Sequence, residues 1–139
     1  MTETATMTPA PSAYASAGLL LESIAAQDFD RLRASLAPEI RMRALVGKGL
    51  QEFDGPQEVA DKFAYWFGDT QGFELLDATV GELIGRIHLS WRIRLRAERL
   101  DNRWHVVEQQ SYADCSQTGL LTQIDLVCSG YLPERQGER

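Results

Sequence analysis

The stretch RIHLSWRIRLRAE, Arg86–Glu98, changes side-chain character at every step: Ile87, Leu89, Trp91, Ile93 and Leu95 fall on one side, and Arg86, His88, Ser90, Arg92, Arg94 and Arg96 on the other. Successive side chains of an extended chain point to opposite faces, so this period of two predicts a strand with one face buried and one wet. WHVVEQQSYADC, Trp104–Cys115, divides in the same way, with Val107, Gln109, Ser111, Ala113 and Cys115 against Val106, Glu108, Gln110, Tyr112 and Asp114. A three-residue loop at Leu100-Asp101-Asn102 pairs Ile93 with Gln109, Leu95 with Val107, Arg94 with Glu108 and Arg92 with Gln110. A slip of one residue would turn both faces inside out.

The same period runs from Phe73 onward and predicts strands near 73–84, 86–98, 104–115 and 120–131, punctuated by Gly85, Asp101-Asn102 and Gly119. In the last of these, Ile124, Leu126 and Cys128 share the Trp91 side, while Gln123, Asp125 and Ser129 share the arginine side. Upstream, EIRMRALV alternates too and predicts a first strand that puts Ile40, Met42, Ala44 and Val46 on one face. Leu20, Leu21, Ile24 and Ala25 recur at helical spacing, and Asp28 caps a second short helix that Pro38 closes. Gly55-Pro56 opens a third, on which Val59, Phe63, Trp66 and Phe67 form an aromatic stripe. Helices followed by a run of antiparallel strands make an α+β domain over residues 18–132. Residues 1–17, poor in anything to bury, are expected to be a mobile N-terminal tail, and 133–139 a frayed C-terminus.

Hydrophobic residues make up 44% of the 139 and charged ones 24%, a globular balance. The net charge of −6 argues against binding nucleic acid or an anionic membrane surface. The start carries Glu3 and lacks a basic and an apolar region, so no secretory leader is expected, and the reading places the protein in the cytoplasm. Cys115 and Cys128 are then expected to be reduced thiols. With His88 and His105 they lack any paired C-x-x-C or H-x-x-x-H unit, so neither a metal nor another cofactor is expected.

The order of these elements, with AAQDFDRLRASLAPEI (25–40), the Gly-Pro helix and a meander closing on GLLTQIDLVCSGY (119–131), resembles the nuclear transport factor 2-like superfamily, which includes ketosteroid isomerase, SnoaL-like polyketide cyclases and limonene epoxide hydrolase. The resemblance implies a cone-shaped curved antiparallel sheet wrapped around the N-terminal helices, an apolar cavity, and dimers formed through the outer face of the sheet. It carries no catalytic signature. Laid on the isomerase pattern, the first-helix tyrosine falls on Leu20, the general-base aspartate on Ala44, and the acid of the oxyanion hole on Ser111. Neither carboxyl position keeps its carboxyl group, so isomerase chemistry of that type is not expected. The epoxide hydrolase pattern, two acids and an arginine, finds candidates in Arg94, Glu108 and Asp125, but alternation sets these on the outer face.

The expected ligand pocket is walled by Leu20, Met42, Ala44, Phe63, Trp66 and Phe67. Across from them stand Trp91, Ile93, Gln109, Ser111 and Ile124, with Gln109 and Ser111 as the polar groups able to orient a ligand. His105 is the inward residue that titrates near neutrality and so the best acid–base candidate. Arg92, Arg94, Arg96, Glu108, Gln110 and Tyr112 make the expected dimer face, with cross-strand ion pairs. Three functions follow. A binder of a small hydrophobic molecule needs a pocket without ionisable groups, and the sequence favours it. A SnoaL-like isomerase, cyclase or dehydratase acting on a polyketide- or steroid-like substrate needs His105 or an acid inside. A pure interaction module needs a filled core.

Overall fold

The computed structural model of the chain describes residues 11–135. Helix α1 spans Pro11–Ala26, α2 Phe29–Leu32 and α3 Gly55–Phe67. The strands are β1 Leu36–Val46, β2 Gly49–Asp54, β3 Gly72–Leu83, β4 Arg86–Arg96, β5 Trp104–Cys115, β6 Leu121–Cys128 and the short β7 Leu132–Pro133. They form one curved, unclosed seven-stranded sheet in the order β2-β1-β6-β5-β4-β3, with β7 on β5, and the architecture is α+β as expected.

The sheet departs from all-antiparallel pairing once. β6 runs parallel to β1, pairing Met42 with Ile124 and Ala44 with Leu126, because the chain leaves β1 through β2, α3 and the meander and returns alongside it. Register breaks in β1 between Leu36 and Arg41, in β3 between Leu75 and Asp77, and in β5 between Asp114 and Cys115 bend the sheet. Pro38 lies in the first of these and does not end a helix; a bulge tolerates a residue with no N–H to offer. α2 instead passes through a 3₁₀ turn, Arg33–Ser35, into β1.

The helix starts follow their caps. The Asp28 carboxylate accepts from the Arg31 N–H at 3.1 Å, and Glu58 reaches back to the Asp54 N–H at 2.9 Å at the start of α3. The first helix begins at Pro11 rather than near Gly18, and Ala17 is fully buried, so the later part of the expected tail is helix. Its Ala-rich composition favours helix even where little is apolar. Residues 1–10 of that expected tail lie outside the described residues. At the other end, Pro133 and Glu134 are pinned, not frayed. Glu134 donates its N–H to the Trp104 carbonyl at 3.0 Å and takes a two-pronged grip from Arg94, at 2.8 and 3.0 Å; 136–139 are outside the described residues.

The β4–β5 register is two residues from the expected one. Trp91 faces Gln109, Ile93 faces Val107, Leu95 faces His105, and Arg92 rather than Arg94 faces Glu108. The connection is longer than three residues, a 3₁₀ turn at Glu98–Leu100 followed by left-handed Asp101 and Asn102, closed by Asn102 N–H to Ala97 carbonyl at 2.9 Å. A shift of two preserves both faces, which is why the inside–outside assignment stands.

β3 and β4 are joined by Ile84-Gly85, both at positive φ, 50° and 78°. A two-residue connection of this kind favours Asn-Gly, and a β-branched residue is strained there. Ile84 is 75% exposed and gains little from burial. Replacement Ile84→Asn is therefore expected to stabilise the fold by roughly 1 kcal/mol, read as a rise of several degrees in the thermal midpoint by circular dichroism; a lower midpoint would contradict the turn assignment.

Candidate ligand site

The inner face of the sheet is set by the alternation of β4 and β5, and its centre is a side-chain pair. The Trp91 indole N–H donates to Gln109 Oε1 at 2.9 Å, with both residues sealed from solvent. One step along, Ser111 Oγ donates to the Leu89 carbonyl at 3.3 Å. The stripe of α3 lies against this pair. The Phe63 ring sits 6.1 Å from Trp91, 5.4 Å from Trp66 in an edge-to-face arrangement, and 6.5 Å from Phe67, centroid to centroid. Leu20 from α1, Met42 and Ala44 from β1, Ile93 from β4 and Ile124 from β6 complete the same core, each no more than 1% exposed. The structure thus gathers all the expected pocket residues into one interior. That interior is closed by side chains, with Trp66 at 4% the most exposed of them.

Its polarity is narrow. Among the described residues the buried polar side chains are Ser16, Ser23, Ser35, Gln109 and Ser111, and none of these titrates near neutrality. His105 is half-buried at the start of β5, where its Nδ1–H donates to the Arg103 carbonyl at 2.8 Å. Four residues along the strand put it roughly 13 Å from Gln109, away from the buried polar set. The Gln109 amide is only half satisfied, since Nε2 is buried without a hydrogen-bond partner. Ser23 Oγ and Gln51 Oε1 are buried without partners too. Gln51 faces Ala44 from β2, a strand the alternation reading left unassigned because Leu50 points outward, 58% exposed, and Gln51 inward.

Three contacts close the solvent side around Trp66. Its carbonyl accepts from Arg99 at 2.8 Å and from the Tyr131 hydroxyl at 2.7 Å, and the Lys62 ammonium stands 5.4 Å from its ring. The Tyr131 hydroxyl is pushed above its usual range, chiefly by burial. Arg99 also reaches the Gly68 carbonyl at 3.1 Å, so the exposed turn after β4 latches the C-terminal end of α3. A lone arginine and a lone tyrosine in turns carry no periodicity by which to find them in the sequence.

No protein-family model matches the sequence, and no curated protein matches it either. Solved structures do. A protein of Xanthomonas campestris pv. campestris assigned as a polyketide cyclase superposes with a TM-score of 0.66 at 16% identity, covering 84% of this chain and 89% of that one. An LEH-like epoxide hydrolase of M. tuberculosis gives 0.63 at 15%, covering 85% and 83%. A steroid delta-isomerase of Pseudomonas aeruginosa gives 0.61 at 13%, covering 88% and 83%. This is the nuclear transport factor 2-like, or SnoaL-like, fold. The positions that the resemblance set against the isomerase acids, Ala44 and Ser111, are fully buried on the inner face, and neither is a carboxyl.

On the outer face of the sheet the charges pair along cross-strand rows. Arg86 bridges Asp114 at 2.7 Å and Asp125 at 2.8 Å, and Arg43 holds Asp125 from the other side at 2.9 Å. Asp125 therefore joins these two arginines, not Arg94 and Glu108. Arg94 instead binds Glu134 and Glu74 and stacks its guanidinium 3.7 Å from the centre of the Trp104 ring, while Arg92 stands 3.6 Å from Glu108. Arg92, Arg94, Arg96, Glu108, Gln110 and Tyr112 share this face, and Tyr112 stacks on His88 at 5.0 Å.

A cleft of about 530 Å³ opens beside Arg43, Arg86, Asp114 and Asp125. Burial alone would push the Asp125 carboxyl up, but hydrogen bonds from Arg43, Arg86 and Gln123 outweigh it and hold the group below the usual carboxylate range. A carboxylate so held is a poor base, and the cluster is an ion-pair clamp between β1, β6, β5 and β4.

A depressed folded pKa stabilises the fold above the unfolded value of 3.8, and that contribution is lost as pH falls through the folded value. The stability gap between the wild type and Asp125→Asn, from urea unfolding, is expected to be full at pH 7 and to shrink below about pH 4. A gap independent of pH would show that the clamp does not depend on the Asp125 charge.

Proposed function

We propose that the protein binds a small hydrophobic molecule in the interior between α3 and the inner face of the sheet, without transforming it. The observation that carries this reading is the chemistry of the buried side chains. Aromatic and aliphatic walls surround Gln109 and Ser111, and among the described residues no acid, base or cation is buried with them. Proton transfer in an isomerase, cyclase or dehydratase needs a group that can give and take a proton at the reacting atom. His105 is the nearest candidate the sequence offered, and its position at the strand end favours binding over turnover. The folds compared above, assigned as a cyclase, an epoxide hydrolase and an isomerase, support an interior site and leave the chemistry to the residues of each chain.

A homodimer joined through the outer face belongs to the same reading. Leu50, Leu45 and Val127 lie in one cross-strand row, 58%, 48% and 52% exposed, continued by Gln110 and Ser90. Such a row is suited to another copy of the same row. No cofactor, nucleic acid or membrane enters this reading. Among the described residues no helix is long and apolar enough to cross a membrane, and two cysteines without a disulfide fit a reducing cytoplasm.

Native mass spectrometry of the freshly purified protein, repeated after stripping small molecules, tests both parts. The expected result is a dimer carrying an adduct of a few hundred daltons that disappears on stripping, and a monomer for Val127→Glu. A bare mass before stripping, with no thermal shift by neutral aromatic compounds added afterwards, overturns the binding reading. An unstripped monomer overturns the dimer.

A further inference from the structure

We propose that the open edge of β3, over residues 77–83, is a docking site for a partner chain in extended conformation. The partner adds as a further antiparallel strand and carries basic residues opposite Asp77 and Glu82. This goes beyond the interior site and does not depend on it.

Among the described residues β3 ends the sheet and pairs on one side, with β4. The other side of such a strand presents a row of backbone N–H and C=O groups, a template for another chain. Sheets blunt an edge of this kind with lysine, proline, a bulge or a short strand. The bulge of β3 lies early, between Leu75 and Asp77. Beyond it seven residues, Asp77 to Leu83, keep unbroken register with β4, about 23 Å of edge. Residues 71–85 contain no lysine, arginine or proline. The opposite edge, β2, has six residues and follows Lys48 directly.

The side chains along the edge say what kind of strand fits. Ala78 and Val80 stand opposite Trp91 and Leu89, so the inner apolar row reaches the edge and stops there uncovered. Val80 is 42% exposed where Leu89 is sealed. A partner with apolar residues in those two places continues the row. Charge narrows the choice further. Glu82 faces Ile87 rather than a cation, and its carboxylate accepts from the Tyr14 hydroxyl at 3.5 Å. Asp77 faces Arg92, but that arginine is shared with Glu108 on its other side. Two copies of this edge laid together would line one seam with both sets of carboxylates and no cation from either β3, so a basic partner fits better than a second copy.

Antiparallel pairing puts the two cations five residues apart with apolar residues between, the pattern of the probe peptide Lys-Ser-Val-Thr-Val-Lys, blocked at both ends. It is titrated into the full chain and followed by the backbone amides in a ¹⁵N spectrum. Shifts are expected at residues 77–83 and not in β2. Replacing both peptide lysines by glutamate, or making Glu82→Lys in the protein, should weaken binding about tenfold, with the thermal midpoint of the variant unmoved. A strand offers every second N–H to one neighbour. Methylating one alternate set of peptide N–H groups should therefore cost about tenfold, and methylating the other set should cost nothing. Equal loss from both sets, shifts scattered over the acidic surface, or no shift at millimolar peptide overturns the proposal. So does hydrogen exchange of the free chain that protects every amide over 77–83 rather than alternate ones. Protection independent of concentration would then assign the edge to the chain itself, and protection that grows with concentration to a second copy.

Discussion

The hydrogen bond between the Trp91 indole and the Gln109 amide ties the two central strands of the meander at a place where their inner faces are not wholly apolar. Trp91 is the largest of the fully buried side chains, and its N–H needs an acceptor that no aliphatic neighbour supplies. Gln109 supplies it only if β4 and β5 stand in the observed register, so the pair sets the register as well as filling the core. From that register follow the rows that pass through β6 to β1, and the helix α3 then has a single surface on which to lay Phe63, Trp66 and Phe67. Burial of those aromatic side chains contributes roughly 1.5–3 kcal/mol each, against which a single half-satisfied amide is a tolerable cost.

The two faces of the sheet divide the labour. Inward, the chain has almost no polarity to spend; outward, it has nearly all of its charge and arranges it in cross-strand rows. Glu52, Arg43, Asp125, Tyr112 and His88 lie side by side on five successive strands. Such rows hold strand to strand without packing. They are open to water and salt, and contribute modestly. The Arg86–Asp125–Arg43 chain matters because it spans the parallel β1–β6 junction, where the sheet lacks the help of a hairpin.

Most of the fold was legible because period-two alternation survives at long range. The faces of β1, β4, β5 and β6 and the aromatic stripe of α3 could be read from spacing alone. What escaped depended on things spacing does not encode. The β4–β5 register turned on two left-handed residues, Asp101 and Asn102, that lengthen the loop. β2 was hidden because its leucine faces solvent and its glutamine faces in. The start of α1 was hidden because alanine and serine look like a tail by composition and like a helix by propensity. The residues of the expected pocket were legible as a buried set. The orphaned Nε2 was not, since it exists only once the indole and the amide are seen to meet.

The parallel β1–β6 junction also orders events in time. Arg43 and Asp125 lie 82 residues apart, and the inner-face partners Ala44 and Leu126 are equally remote in the chain. During synthesis β1 therefore emerges with one edge covered by β2 and the other bare until almost the whole domain has been made. Contacts of such separation slow folding, because loop closure comes before any reward from packing. A bare strand edge bearing Ile40, Met42 and Ala44 is in the meantime a template for other chains. Arg41 and Arg43, alternating with those apolar residues, put charge on that edge while it waits, so Arg43 guards the nascent strand before it ever meets Asp125.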